Sequence, residues 1–272
     1  MSDRADSPPS WVGSIEPHAL LLKQPPDDQL LYKIMKTEDL ARSVSGRYLH
    51  FNRVDSYKDF STADAHDGEQ LPADLPANMA ATASPNFTAA NYYDQSRART
   101  YACCFSLTNS TYIWSTYGTG GTKGKICVVF EFGKLRTQLN DTFKNSGLLY
   151  NSIPCHQIFS INYGIVEYVD WANHQSNPAR YANPVQYPYL KDASSYCDER
   201  ELRVSLSALG IGRFALNDGS NLEFQKSLQV EFDFRLAIAA GVIQELIPSL
   251  DCDSAFVQRE LDKCGIGVCS TS

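Results

Sequence analysis

The chain has no run of about 18 apolar residues, so no helix spanning a membrane is expected. Its first residues, MSDRADSPPSWVGSIEPH, lack the basic-then-apolar order of a signal peptide, which points to a cytoplasmic protein. It has no CxxC pair, and none of its five histidines stands at zinc-site spacing from a cysteine, so no metal is expected. The eight cysteines (103, 104, 127, 155, 197, 252, 264, 269) are scattered, several of them in apolar runs, and read as reduced, buried thiols. An excess of positive charge is also missing. A net charge of −7 argues against general affinity for nucleic acid backbones. What remains is a chain of 272 residues, 43% apolar and 20% charged, able to bury a sizeable core.

The stretch 101–132 organises this chain. YACCF reads as a buried strand. One of Ser106, Thr108, Asn109 and Ser110 then caps a short helix carrying Tyr112, Ile113, Trp114 and Tyr117. Glycines 118, 120, 121 and 124 end that helix, and 126–132 forms a second strand. The glycine turn is not a nucleotide P-loop, because the glycines follow a helix and lead into a strand, the reverse of what that loop needs. Charge is uneven around it. Residues 53–95 hold two basic and seven acidic residues, whereas 96–136 hold six basic and one acidic, which suits a phosphate-bearing ligand near the organising stretch.

Elsewhere, 1–28 holds five of the thirteen prolines and reads as a flexible arm ahead of a single domain, 29–272. Strands are expected at 29–35, 47–54, 158–170 (with Gly164 as a kink or bulge), 198–206, 227–234 and 266–269. Helices are expected at 37–45 with Thr37 as N-cap, 89–96, 134–145, 236–250 (despite Gly241 and Pro248, with a turn before a second short helix) and 254–263. A long acidic loop covers 55–99. Strands outnumber the short, scattered helices, which favours an α+β fold with mixed, mostly antiparallel sheets and short flanking helices.

Three side-chain groupings carry possible chemistry. Glu199 and Glu201 sit two apart on an expected strand, so both point one way with Arg203 and Ser205; taken alone, a surface strand with cross-strand Glu–Arg pairs is the favoured explanation. Cys103 or Cys104 with His50 or His156 could form a nucleophile–base pair, but a Cys-Cys pair inside an apolar strand favours a structural role. Trp114 and Tyr117, three apart on a helix, share a face and could stack on a flat ring or belong to the core.

The order of motifs resembles the bacterial domain-of-unknown-function family numbered 2971. The matching pieces are Leu31-Tyr32-Lys33, Leu49-His50-Phe51 through Tyr57-Lys58-Asp59, Cys104-Phe105-Ser106 with Trp114–Tyr117 and Lys123-Gly124, and Lys191–Tyr196 before Glu199-Arg200-Glu201-Leu202-Arg203. More distantly, three of these resemble the ordered motifs of ADP-ribosyltransferases, with Lys33 where that class has His or Arg. The resemblance implies NAD as substrate, Glu201 stabilising the ribosyl cation, Glu199 orienting or deprotonating the acceptor, and Ser106 bracing the site. It implies Lys33, Tyr32, His50, Trp114 and Tyr117 as the NAD-binding set. It also implies a protein or nucleic acid acceptor, a toxin, effector or phage-defence setting, and an acidic loop that selects the acceptor or meets a neutralising partner. A non-catalytic binding module on the same fold and an NAD glycohydrolase are the alternatives.

Overall fold

The computed structural model of the protein describes residues 15–16, 22–59, 64, 66–144, 148–150, 153–155, 159–176, 185–208, 214–216 and 218–266. His156 and, apart from Ile266, the strand expected at 266–269 lie outside them. In chain order come β1 (Leu30–Lys36), α1 (Thr37–Gly46), β2 (Tyr48–Arg53), a 3-10 turn (Val54–Asp59), α2 (Leu75–Ala80), the hairpin β3 (Thr82–Ser84) and β4 (Phe87–Thr88), and α3 (Ala89–Arg97). Next are β5 (Thr100–Ser106), α4 (Thr111–Thr116), β6 (Lys125–Glu131), α5 (Phe132–Phe143), β7 (Leu148–Tyr150) and β8 (Ile153–Cys155). β9 (Phe159–Ile165), β10 (Glu167–Val169), β11 (Leu190–Asp192), α6 (Ala193–Tyr196) and β12 (Glu201–Ala208) follow. The chain continues through β13 (Phe214–Leu216), β14 (Ser227–Glu231), α7 (Phe234–Ala239), β15 (Ile243–Pro248) and α8 (Ser254–Lys263).

The fold is α+β. An eight-stranded, antiparallel sheet runs β14-β2-β5-β1-β6-β15, with β12 joined to β5 and β9 to β12. Alternation makes its two faces different. Tyr101, Cys103 and Phe105 on β5, with Leu202, Val204 and Leu206 on β12, enter the apolar core beside Leu135 and Leu139 of α5. The opposite face carries Thr100, Cys104 and Ser106 beside Ser207, Arg203 and Glu201, then Ser160 and Asn162 of β9. It is buried as well: Arg203 meets Asp67 and the Pro188 carbonyl, and the parallel pair β10–β11 brings Tyr168 and Lys191 to Glu201. A polar layer closed off from water must find its partners inside the protein, and those partners make the site.

Several elements differ from expectation. The helix expected at 236–250 stops at Ala239. Gly241 adopts φ +66°, and Ile243–Pro248 then pairs with β6 as an edge strand, its Pro at the end of the strand. Thr37 does not cap α1; its hydroxyl bonds the Gly124 carbonyl, and Lys36 holds the cap position. The described parts of the 1–28 segment make contacts with the rest of the chain. Ile161 N–H bonds the Ile15 carbonyl, Ile165 N–H bonds the Lys23 carbonyl, and Arg136 grips Glu16 at 2.8 Å. The expected 55–99 loop contains α2, the β3–β4 hairpin and α3.

Gly164 is not a bulge but a place of close approach. A Cβ there would lie 2.7 Å from the Tyr189 ring, and the Tyr189 hydroxyl is anchored to the Asn162 carbonyl and Ser205. Gly164→Ala is therefore expected to destabilise the protein by about 1–3 kcal/mol, read as a lowered melting temperature. An unchanged melting temperature would show that the Tyr189 ring yields.

Candidate functional site

The site grows from a fork in the sheet. β12 pairs along one whole edge of β5, from Glu201 opposite Ser106 to Ser207 opposite Thr100. The other edge of β5 is divided. β2 takes its lower part, with Asn52 opposite Ala102, and β1 takes only its end, with Tyr32 opposite Ser106. Between those contacts β1 and β2 part, and a cleft of about 690 Å³ opens, lined by both strands and by residues 102–106 of β5. Within the fork the Cys104 carbonyl is bonded by Lys33 Nζ at 3.1 Å.

The far wall of the cleft is a chain of buried ion pairs. Arg203, fully buried, holds Asp67 through both terminal nitrogens and Glu201 through Nε at 2.7 Å. Lys191 of β11, also buried, stands 2.9 Å from Glu201 and 2.7 Å from Glu199. Tyr117 donates its hydroxyl to the other Glu199 oxygen. The Glu201 N–H bonds the Tyr168 hydroxyl at 2.8 Å. Every lone charge here has a partner, as a buried charge requires.

Neighbouring charges push the two glutamates apart. Burial raises the Glu201 carboxyl, but the Arg203 guanidinium and Lys191 ammonium outweigh it and hold the group well below the usual carboxylate range. For Glu199, burial outweighs Lys191, and with the negative Glu201 close by the carboxyl is raised. Burial, with Asp67 near it, also raises Asp64, which lines the same cleft. One carboxyl kept ionised beside one kept protonatable is the pattern of an acid–base pair.

Of the eight residues singled out from sequence, seven line this cleft: Lys33, Tyr32, His50, Ser106, Tyr117, Glu199 and Glu201. Trp114 does not. α4, capped by Ser110, ends at Thr116, and Tyr117 is extended (φ −102°, ψ 161°), so the two rings do not share a helix face. Tyr117 turns into the cleft while the Trp114 indole bonds Asn109 at 2.6 Å outside it. Glu199 and Glu201 converge, but not as neighbours on a strand. Glu199 belongs to a 3-10 turn, Arg200 is left-handed (φ 45°), and β12 starts at Glu201. Both are buried, which removes the surface-strand explanation. Ser106 spends its hydroxyl on the backbone: it donates to the Glu199 carbonyl at 2.8 Å and accepts from the Thr108 N–H at 3.2 Å. It braces the turn that presents Glu199.

The basic stretch does not supply the cleft's charge. Arg97 pairs with Glu69, Lys123 with Asp253, Lys134 with Glu131 and Arg136 with Glu16, and no cation from 96–136 lines the cleft. The glycine turn likewise spends its donors within the chain: Thr122 and Lys123 N–H groups bond Glu38 at 2.7 and 3.1 Å. The acidic loop brings Asp64 and Asp67 to the cleft, while Asp74 is buried away from it, accepting from the Ser176 N–H and the Tyr187 hydroxyl. Burial pushes the Cys103 and Cys104 thiols up, so neither is an activated nucleophile.

Sequence reasoning missed Lys191, Asp67, Asp64, Tyr57 and Tyr168, and it left Arg203 without a role. The signal for Arg203 was its place on the Glu201 face of the strand. For Asp64 and Asp67 it was the acidic excess of 53–95. Comparison of the chain with known families, with curated proteins and with solved structures gives no match.

Proposed function

We propose that this protein is an ADP-ribosyltransferase-like enzyme that takes NAD as substrate and passes ADP-ribose to a macromolecular acceptor. The observation that carries the reading is convergence. Lys33 from β1, Ser106 from β5 and the Glu199–Glu201 pair before and on β12 come from three separate parts of the chain and meet at one fork. The cleft, about 690 Å³, is of a size that encloses a small organic ligand.

The chemistry asks for few groups. When the bond between nicotinamide and ribose breaks, its electron pair neutralises the ring nitrogen, so the leaving group needs no proton. The ribose carbon becomes cationic, and an ionised carboxylate stabilises it by electrostatics that are strong in a dry site. Glu201 is the group held ionised there. The acceptor must lose a proton as it attacks that carbon, and Glu199, with its raised pKa, is suited to take it. Lys33 Nζ bonds the Cys104 carbonyl at 3.1 Å and the Cys103 thiol, and among the described residues no carboxylate lies within salt-bridge distance of it. An ammonium has three N–H groups, so a third can serve the diphosphate or a ribose oxygen. Tyr32 and Tyr117 offer rings to nicotinamide, and His50 lines the cleft from β2, where it bonds Asn52 at 3.0 Å.

One observation favours the second reading, a non-catalytic binding module. Both Glu201 oxygens are already held, one by Arg203 Nε and the other by Lys191 and Arg203 Nη2 at 3.2 Å. Incubation with NAD labelled in the adenylate separates the readings. Label carried into the protein or nucleic acid of an added lysate supports transfer, and label released as free ADP-ribose supports a glycohydrolase. Label that stays in NAD under every condition contradicts the enzyme and leaves the binding module.

A further inference from the structure

We propose that Lys191 is a positioning residue that holds Glu199 in place and in charge beside Glu201. The proposal deepens the transferase reading, and its catalytic consequence rests on it. The two glutamates are not held alike. Glu201 has two cationic partners, Arg203 and Lys191, whereas Glu199 has Lys191 alone among the described residues. The groups facing Glu199 from the surrounding elements are Lys191 on β11, Glu201 on β12, and the hydroxyls of Tyr117, Tyr168 and Tyr196. Burial pushes all three tyrosines up, so they are neutral across the working range and Lys191 is the cation of the set.

The local fold is built for this placement. β10 and β11 form a parallel pair with Tyr168 opposite Lys191, and both residues address Glu201, one through its N–H and the other through its carboxylate. The Lys191 ammonium also lies 5.2 Å from the centre of the Tyr196 ring, which closes its remaining side. An ion pair kept only for stability gains little from such burial, since apolar packing serves as well. Placed between two carboxyls of unequal support, the ammonium instead sets which of them stays charged.

The test is a carbon-13 NMR titration of the glutamate carboxyls in wild type, Lys191→Met and Lys191→Arg. Lys191→Met is expected to move the Glu199 titration up by one pH unit or more while Glu201, still paired with Arg203, stays ionised. Lys191→Arg keeps Glu199 near the wild-type position, and it carries the test if the methionine variant does not fold. The acid limb of ADP-ribose transfer, the step in which Glu199 takes the acceptor's proton, should move with Glu199, lowering the rate on that side about tenfold per unit. A merely structural lysine would lower the melting temperature and leave the titration and the limb in place. A Glu199 titration unchanged in Lys191→Met, or equal shifts in both glutamates, overturns the proposal. A wild type that releases no nicotinamide, with the Glu199 shift intact, overturns the transferase reading and supports the positioning role.

Discussion

Arg203→Met is expected to cost about 3–5 kcal/mol of stability, the largest structural effect of any single change in the site. The Arg203 side chain is fully buried and holds Asp67, Glu201 and the Pro188 carbonyl together. Methionine fills similar space but leaves Asp67 buried without its cation. Glu201 suffers less, because Lys191 remains 2.9 Å away. The measurement is urea unfolding of the two proteins. A companion variant, Arg203→Met with Asp67→Leu, should recover part of the loss, because it removes the stranded charge. A loss below about 1 kcal/mol for the single variant would mean that water reaches the network and solvates it. The same network fixes an acid sensitivity. The folded-state pKa of Glu201 is depressed, so its stabilising contribution is complete above the unfolded value of about 4.3 and fades as pH falls below it. Glu199 has the opposite sign: its raised pKa means that protonation on acidification relieves strain rather than adding it.

Glu201→Gln is expected to lower nicotinamide release from NAD by about 10²–10³-fold or more. Glutamine keeps the shape of the side chain and removes the charge proposed to stabilise the ribosyl cation. Arg203 retains Asp67 and Lys191 retains Glu199, so the fold should hold, and circular dichroism with a melting curve checks that it does. Glu199→Gln should separate from it. Stabilisation of the ribosyl cation survives, but proton removal from the acceptor is lost, so transfer falls more than bond cleavage does. If both variants lose release and transfer in equal measure, the two carboxyls do not have the distinct roles their surroundings give them.

Much of the frame was legible because it depends on local pattern. The alternation of Glu201, Arg203 and Ser205 with Leu202, Val204 and Leu206 marks a strand with one apolar and one polar face, and β12 has both. The capping serine and the glycines around α4 mark its ends, and Ser110 is the cap. What failed was geometry that residue type does not announce. Arg200 takes a left-handed conformation usually left to glycine, so the turn that detaches Glu199 from the strand is silent in the sequence. Residues 244–246 carry helix-compatible side chains but lie in an edge strand paired with β6. Charge counts misled for a related reason. A basic stretch suggests a phosphate site, yet three of its cations, Arg97, Lys123 and Arg136, meet acids from distant parts of the chain. The cation that matters, Arg203, finds Asp67 136 positions away. Partnerships of that range follow from the fold and are not visible in a window of sequence.

Nicotinamide release from NAD by the purified protein, measured beside Glu201→Gln with lysate and nucleic acid added in turn, tests the proposal most directly. Release by the wild type, lost in the variant and quickened by one class of additive, is the predicted result, and the additive names the acceptor class. Release that persists in a folded Glu201→Gln protein would contradict the assigned mechanism. No release from the wild type under any condition would make the fork a binding site rather than an active one.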